Sequence, residues 1–206
     1  MSGSIKLKHA SGNGVIISAP SSNPASDRTL TLPSDADGTI ARTLDVKIKS
    51  YALIADVKSS NADGGSLTSG AWRTRDLNAE ISDADSIVSI SSNQFTLQAG
   101  NYLIKWSAPA YRVSSHQTRL YNITTSANVQ HGSCSYTHTT DLTTPQSTGV
   151  ARIALSGSTV FEIQQRSYAS KSTNGLGVGS SGGVDWCGSA TTDGCVFCQV
   201  EIFKES

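Results

Sequence analysis

Cys134, Cys187, Cys195 and Cys198 are the first residues to weigh, because thiols act as nucleophiles, metal ligands or cross-links. Cys195-Val196-Phe197-Cys198 has the spacing of a redox or metal CxxC, yet a redox pair normally opens a helix. This one sits inside a run of strand character that continues Gln199-Val200-Glu201-Ile202-Phe203. Residues i and i+3 of an extended strand lie about 10 Å apart, whereas a disulfide needs Cα atoms within roughly 7 Å. Zinc knuckles come as two close pairs, a spacing these cysteines lack. Buried thiols are the first reading for them, ahead of a zinc site and a Cys187–Cys195 hairpin disulfide.

The histidines, His9, His116, His131 and His138, form no H-E-x-x-H or other ligand spacing. His131 and His138 stand seven apart and fall on opposite faces of a regular strand. Lining a three-fold axis and a hydrogen-bonded or exposed role compete for each. No Gly-x-Ser-x-Gly elbow occurs, and Ser is so abundant that one near a His carries little information. Asp83 and Asp85 look like a carboxylate pair, but Ser82-Asp83-Ala84-Asp85-Ser86 reads better as a polar turn. Gly175-x-Gly177-x-Gly179 follows no strand-to-helix unit and reads as a flexible loop, not a phosphate cradle. These readings predict no catalytic residues, no metal site and no cofactor.

Charge narrows the classes further. Lys+Arg and Asp+Glu are both 16 in 206 residues, a formal net charge of +0, without the clustered basic face that duplex DNA requires. Only 16% of residues are charged, so the strong net charge of a disordered chain is missing as well. No apolar run approaches the roughly 20 residues of a membrane span. Met1-Ser2-Gly3-Ser4-Ile5-Lys6 lacks the architecture of a secretory signal. The expectation is a protein made and left in the cytoplasm of the cell that produces it, with no nucleic-acid partner and no membrane insertion.

The elements that must position these residues are strands. Tyr102, Ile104, Trp106 and Ala108 share one face of a period-2 pattern, and Leu103, Lys105 and Ser107 share the other. Val196, Cys198, Val200 and Ile202 alternate likewise with Cys195, Phe197, Gln199, Glu201 and Phe203. Further candidates are 51–57, 86–90, 94–98, 117–124, 149–155 and 159–167, spaced by Gly, Asn, Asp and Ser clusters. The fold class is all-β: an antiparallel β-sandwich over residues 51–206, joined by a short connector, 44–50, to a small N-terminal β module, 1–43. Trp72, Trp106 and Tyr102 are expected to fill the sandwich core. Arg73, Arg75, Arg112 and Arg119 lie in or beside strands, where buried pairing, stacking and plain solvation compete. Several strands are apolar on both faces, so one face fits a core and the other wants a second copy of the chain. In the N-terminal module Ile5 and Leu7, Val15 and Ile17, and Leu30 and Leu32 mark three short strands with too little surface to stand alone.

Ser4-Ile5-Lys6-Leu7-Lys8-His9, Ser21-Ser22-Asn23-Pro24-Ala25 and Thr29-Leu30-Thr31-Leu32-Pro33-Ser34-Asp35-Ala36-Asp37-Gly38-Thr39 resemble the N-terminal module of fibre-like virion proteins of tailed phages, marine and cyanobacterial phages among them. From about Tyr51 to Lys204 the chain resembles the trimeric jelly roll of tumour-necrosis-factor-like proteins and complement globular heads. That likeness is carried by Gly70-Ala71-Trp72-Arg73-Thr74-Arg75-Asp76-Leu77-Asn78, Leu97-Gln98-Ala99-Gly100-Asn101-Tyr102, Ser107-Ala108-Pro109-Ala110-Tyr111-Arg112-Val113 and His116-Gln117-Thr118-Arg119-Leu120-Tyr121-Asn122. The cysteines and the loop 171–186 depart from the pattern.

The resemblance implies a homotrimeric, non-enzymatic virion component. Its N-terminal module would attach to other virion proteins through Ile5, Leu7, Val15, Ile17, Leu30 and Leu32. Its jelly roll would meet a host cell-surface glycan or protein, with Tyr136, Tyr168, Asp185 and Trp186 as the candidate contacts. A capsid decoration or head fibre is the runner-up. A glycan-degrading spike ranks below both, because no β-helix coil repeat is visible.

Overall fold

A computed structural model describes residues 4–8, 11–12, 14–18, 48–60, 62–181, 184–185 and 194–205. The chain divides into two units, Met1–Ala41 and Arg42–Ser206. In the first, β1 (Ser4–Lys8) and β2 (Gly14–Ser18) form an antiparallel hairpin across the Gly12 turn. Its register sets Ile5 opposite Ile17 and Leu7 opposite Val15. Leu30 and Leu32 lie outside the described residues.

The second unit opens with β3 (Ile48–Lys58), which begins inside the stretch read as connector. There follow β4 (Arg73–Thr74), β5 (Ala79–Ser82), β6 (Val88–Ser91), β7 (Gln94–Leu97), β8 (Gly100–Pro109) and β9 (Ser114–Asn122). The chain continues with β10 (Ala127–Thr137), β11 (Gln146–Leu155), β12 (Thr159–Ser167), β13 (Ser180–Ser181), β14 (Val184–Asp185) and β15 (Cys195–Glu205). One sheet has the order β11-β8-β15-β3-β5 and the other β10-β9-β12-β7-β6, with β4 also paired to β12. All the pairings are antiparallel, and the chain passes repeatedly between the two sheets, with β6-β7 and β9-β10 the consecutive strands that stay in one. That is a jelly-roll sandwich. No helix occurs among the described residues.

The two-residue alternation decides what the sandwich buries. Ala52, Ile54, Tyr102, Ile104, Trp106, Val200 and Ile202 of the first sheet meet Phe95, Leu97, Leu120, Phe161 and Ile163 of the second in one core. Each of the larger side chains contributes about 1.5–3 kcal/mol by leaving water. A smaller cluster of Leu67, Ala110, Val113 and Leu176 lies under the loops at one end. The turn between β6 and β7 consists of Ser92 and Asn93 at φ 53° and 65°, the two left-handed residues of a type I′ hairpin. Asp83 closes the turn before β6, its carboxylate accepting from the N–H groups of Ile87 and Val88 at 2.9 Å each. The polar-turn reading of that segment therefore describes it.

Two expectations need correction. Trp72 is not in the core: it lies half-buried on the outer face of the second sheet, among arginines. The Gly175–Gly179 segment is knitted to residues 64–67 and not free. Gly64 N donates to Gly177 O at 2.9 Å and Leu176 N to Gly65 O at 3.0 Å, burying Gly175, Leu176 and Gly177. A Cβ on Gly177 would meet Phe197 Cδ1 at 2.4 Å, so the glycine is what lets this loop lie flat on the sandwich.

Candidate functional site

Two groups of polar residues stand out, one sealed and one exposed. The sealed group begins with Asp56 on β3 and Arg75 beyond β4, both fully buried. Arg75 Nη1 donates to Gln165 Oε1 at 3.0 Å and to Leu176 O at 2.9 Å, while its Nη2 stands 3.9 Å from Asp56 Oδ2. Lys58 Nζ reaches Asp56 Oδ1 at 3.1 Å and also pairs with Asp76. Asp56 is nevertheless held above the usual carboxylate range, because burial outweighs Lys58 and Arg75. For Lys58, burial pulls the other way, but its hydrogen bond to Asp76 and the charge of Asp56 win and raise it. The two directions agree once exposure is considered: the ammonium keeps some water and the carboxylate keeps none.

Arg75 can only donate, so it fixes the Gln165 amide with Oε1 towards itself. Gln165 Nε2 then donates to His116 Nδ1 at 3.0 Å, which places the imidazole proton on Nε2. That Nε2 is buried and finds no protein acceptor. Burial first, and the Arg75 charge second, push the His116 pKa down to about 4. His116 is 3% exposed, and Gln165 and Arg75 fix its orientation.

Its pH consequence is specific. A histidine lowered from 6.5 stabilises the fold fully above pH 6.5, and that contribution is lost as the pH falls towards about 4. The loss is at most about 3 kcal/mol. Denaturation midpoints of the parent are expected to fall across this window, and those of His116→Gln to fall less. Equal slopes for the two proteins would remove His116 as the cause.

The exposed group lies on the outward face of β10, β9, β12 and β4. Register places Asn128, Tyr121 and Glu162 in one row, and His131, Arg119, Gln164 and Thr74 in the next. The following row is Cys134, Gln117 and Arg166. Tyr136 pairs with Ser115, and Tyr168 N donates to Ser115 O at 2.8 Å, completing a last row. Arg119 is packed between two rings, its Cζ 4.3 Å from the Trp72 centroid and 4.5 Å from that of Tyr121. Its Nε donates to Gln164 Oε1 at 2.7 Å. Glu162 accepts from both Gln164 and Gln94. Arg166 stacks on Trp72 at 5.5 Å, and His131 packs against the same ring at 5.7 Å. Such cation–π contacts contribute about 0.5–1 kcal/mol each at exposed sites and hold guanidinium planes in place.

Beside these rows runs a shallow groove of about 360 Å³, with Ser115, Gln117, Cys134, Arg166, Ser167 and Tyr168 among its lining. Tyr168 is 82% exposed and Tyr136 58%. Of the other candidate contacts, Asp185 is in β14, paired with Ser180, and Trp186 lies outside the described residues. Sequence reasoning did not find Trp72, Gln117 and Arg166 as a group. The i, i+2 spacing of Gln117, Arg119 and Tyr121 on one strand was the available signal.

The cysteines separate into distinct fates. Cys198 is a free thiol, fully buried, and desolvation pushes its pKa up to about 11, which makes it inert. Cys134 is free and exposed. Cys195 is disulfide-bonded. Cys187, its partner in the hairpin-disulfide alternative, lies outside the described residues. No cluster of three or more His, Cys, Asp or Glu with metal-binding geometry occurs among the described residues.

No family model matches the chain, and no curated protein matches it by sequence. Among solved structures it is similar to the globular domain of zebrafish complement 1qA, with 14% identity and a TM-score of 0.45 over 75% of this chain and 96% of that one. It is also similar to murine APRIL, with 9% identity and a TM-score of 0.44 over 75% of this chain and 98% of that one. At these values the jelly-roll assignment rests on the strand order itself.

Proposed function

We propose that this chain is a non-enzymatic, homotrimeric structural and binding component of a tailed-phage virion, a fibre that attaches through residues 1–43 and presents its jelly roll to the host surface. The observation that carries the trimer is the outward face of β11-β8-β15-β3. Phe203 pairs with both Leu103 and Tyr51, and Leu53 stands opposite Glu201. Val150, beside Lys105 on β11, is 54% exposed. An apolar stripe on the side of a sheet away from its core costs solvation unless something covers it.

A second and third copy fit this face because its charges are of both signs. Lys105 stacks over Phe203 and lies opposite Glu201, while Arg152 pairs with Glu205 at 2.8 Å. Around a closed three-fold axis, each copy can set its cations against the anions of the next. Packing there also leaves the face of β10, β9 and β12 outermost, where a receptor would be met. Weak single contacts suffice when three tips act together.

Light scattering on the purified chain is expected to give three times the 21.6 kDa protomer mass. Phe203→Glu, which sets an extra carboxylate beside Glu201 at the centre of the stripe, is expected to give a folded monomer. A monomeric parent, or a Phe203→Glu trimer of parental stability, would sink the trimer. The phage reading rests on the resemblance of residues 4–9 and 29–39 to virion attachment modules, and locating the protein by gold-labelled antibody on intact particles tests it. Label at the tail supports the fibre, label on the head converts the reading to a decoration protein, and unlabelled particles overturn both.

A further inference from the structure

We propose that the groove beside Tyr168 binds a sugar ring that carries a carboxylate, with Arg166 holding the carboxylate, Tyr168 the ring face, and Ser115 and Gln117 the hydroxyls. This rests on the reading above that the outward sheet meets a host surface.

Charge is the first argument. Arg166 has no ion-pair or hydrogen-bond partner among the described residues; its recorded contact is the Trp72 ring. Stacking holds the guanidinium plane without using any N–H, so its edge stays free for a bidentate acceptor. The nearby cation, Arg119, is already committed to Gln164 and to two rings. The nearby acid, Glu162, is likewise occupied by Gln94 and Gln164. The groove is thus lined by one guanidinium and no carboxylate. One cation matches one negative charge. A phosphate dianion or a densely sulfated polymer would call for several.

Shape and surface chemistry supply the rest. Tyr168 and Tyr136 flank Ser115 from the two neighbouring strands, which sets their Cα atoms about 10 Å apart. Beside Tyr168 the groove is lined by Ser115, by Gln117, whose Nε2 donates to Gly132 O at 3.1 Å and leaves Oε1 to accept, and by the less polar Gly70 and Cys134. An aromatic face, the Ser115 hydroxyl, the Gln117 amide oxygen and a lone guanidinium together complement a ring with C–H patches, hydroxyls and one carboxylate.

The test titrates the full-length protein with oligosaccharides of galacturonate, of glucuronate and of a nonulosonate, each beside its carboxyl-reduced form. At least one acidic sugar is expected to bind, and its reduced form to bind about tenfold more weakly or worse. Arg166→Gln is expected to lose a similar factor, Arg166→Lys part of it, and Tyr168→Ser to weaken acidic and neutral forms alike. Unchanged oligomer mass and circular dichroism establish that the variants fold. Failure of all three acidic sugars, equal binding of a reduced form, or an unaffected Arg166→Gln would overturn the proposal. Tighter binding of dextran sulfate than of any carboxylated sugar would also overturn it, in favour of a general polyanion surface. A trimer found on virions that binds none of these sugars defeats this proposal alone. An Arg166-dependent uronate site on a protein absent from virions defeats only the fibre reading.

Discussion

Arg75→Met is expected to lower the unfolding free energy by about 3–5 kcal/mol, a large part of the stability of a domain this size. The side chain is fully buried, and its Nη1 serves Gln165 Oε1, Leu176 O and, at 3.4 Å, Pro109 O. Methionine fills most of the volume but takes this donor from Gln165 Oε1 and Leu176 O in a dry interior, while Pro109 O keeps Gln165 Nε2 at 3.3 Å. It also removes one of the cations beside Asp56, leaving that buried carboxylate to Lys58 alone. Asp56→Leu alone leaves Arg75 with an uncompensated charge, and a similar loss is expected. The double variant should lose distinctly less than the sum, because neither charge then remains to be buried alone. Urea midpoints at one fixed protein concentration measure all four corners of the cycle. Strict additivity, or an Arg75→Met loss under about 1 kcal/mol, would mean that the two side chains do not act as a pair.

This centre also marks where the sequence stops being readable. Alternation along β8 and β15 reports which residues enter the core, because a strand repeats every two residues and needs no knowledge of its neighbours. Arg75 obeys no such pattern. Its partners come from β3, β12 and the 171–179 loop, and only the strand order brings residues 56, 165 and 176 together. Trp72 shows the same limit from the other side. Its size suggests a core residue, yet β4 pairs to the outward edge of β12, and that places the indole over Arg119 and Arg166. For Tyr136 and Tyr168 the sequence leaves core packing and a surface position open, and both rings are exposed. That Ser115 lies between them was not legible, since it follows from β9 running between β10 and β12. The Gly-rich loop misled in a third way. Glycines that permit flexibility also permit close packing, and the difference lies in Leu176, which clusters with Leu67, Ala110 and Val113, and in Phe197, on which Gly177 lies.

Gly149→Ala is the second substitution expected to act strongly, for a reason that concerns one methyl group. Gly149 pairs with Trp106 across β11 and β8, and a Cβ there would sit 2.0 Å from Trp106 Cζ2 and 2.3 Å from Cε2. The indole cannot step aside. It is 3% exposed, and its Nε1 donates to Thr118 Oγ1 at 2.8 Å. Thr118 Oγ1 lies 2.8 Å from Ser147 Oγ, which in turn donates to Ser133 O at 2.7 Å. Because an indole only donates and a carbonyl only accepts, every proton in this chain has one direction, and moving the ring breaks the first link. A loss of about 3 kcal/mol is expected, at the upper end for one added methyl in a packed core. Gly157→Ala is the control: a Cβ there meets nothing within 4 Å, and its effect should stay within about 0.5 kcal/mol. Trp106→Phe, which costs stability in the parent, should cost much less beside Gly149→Ala, because the smaller ring vacates the space the methyl needs. If Gly149→Ala and Gly157→Ala unfold at the same urea concentration, the indole is not held as described.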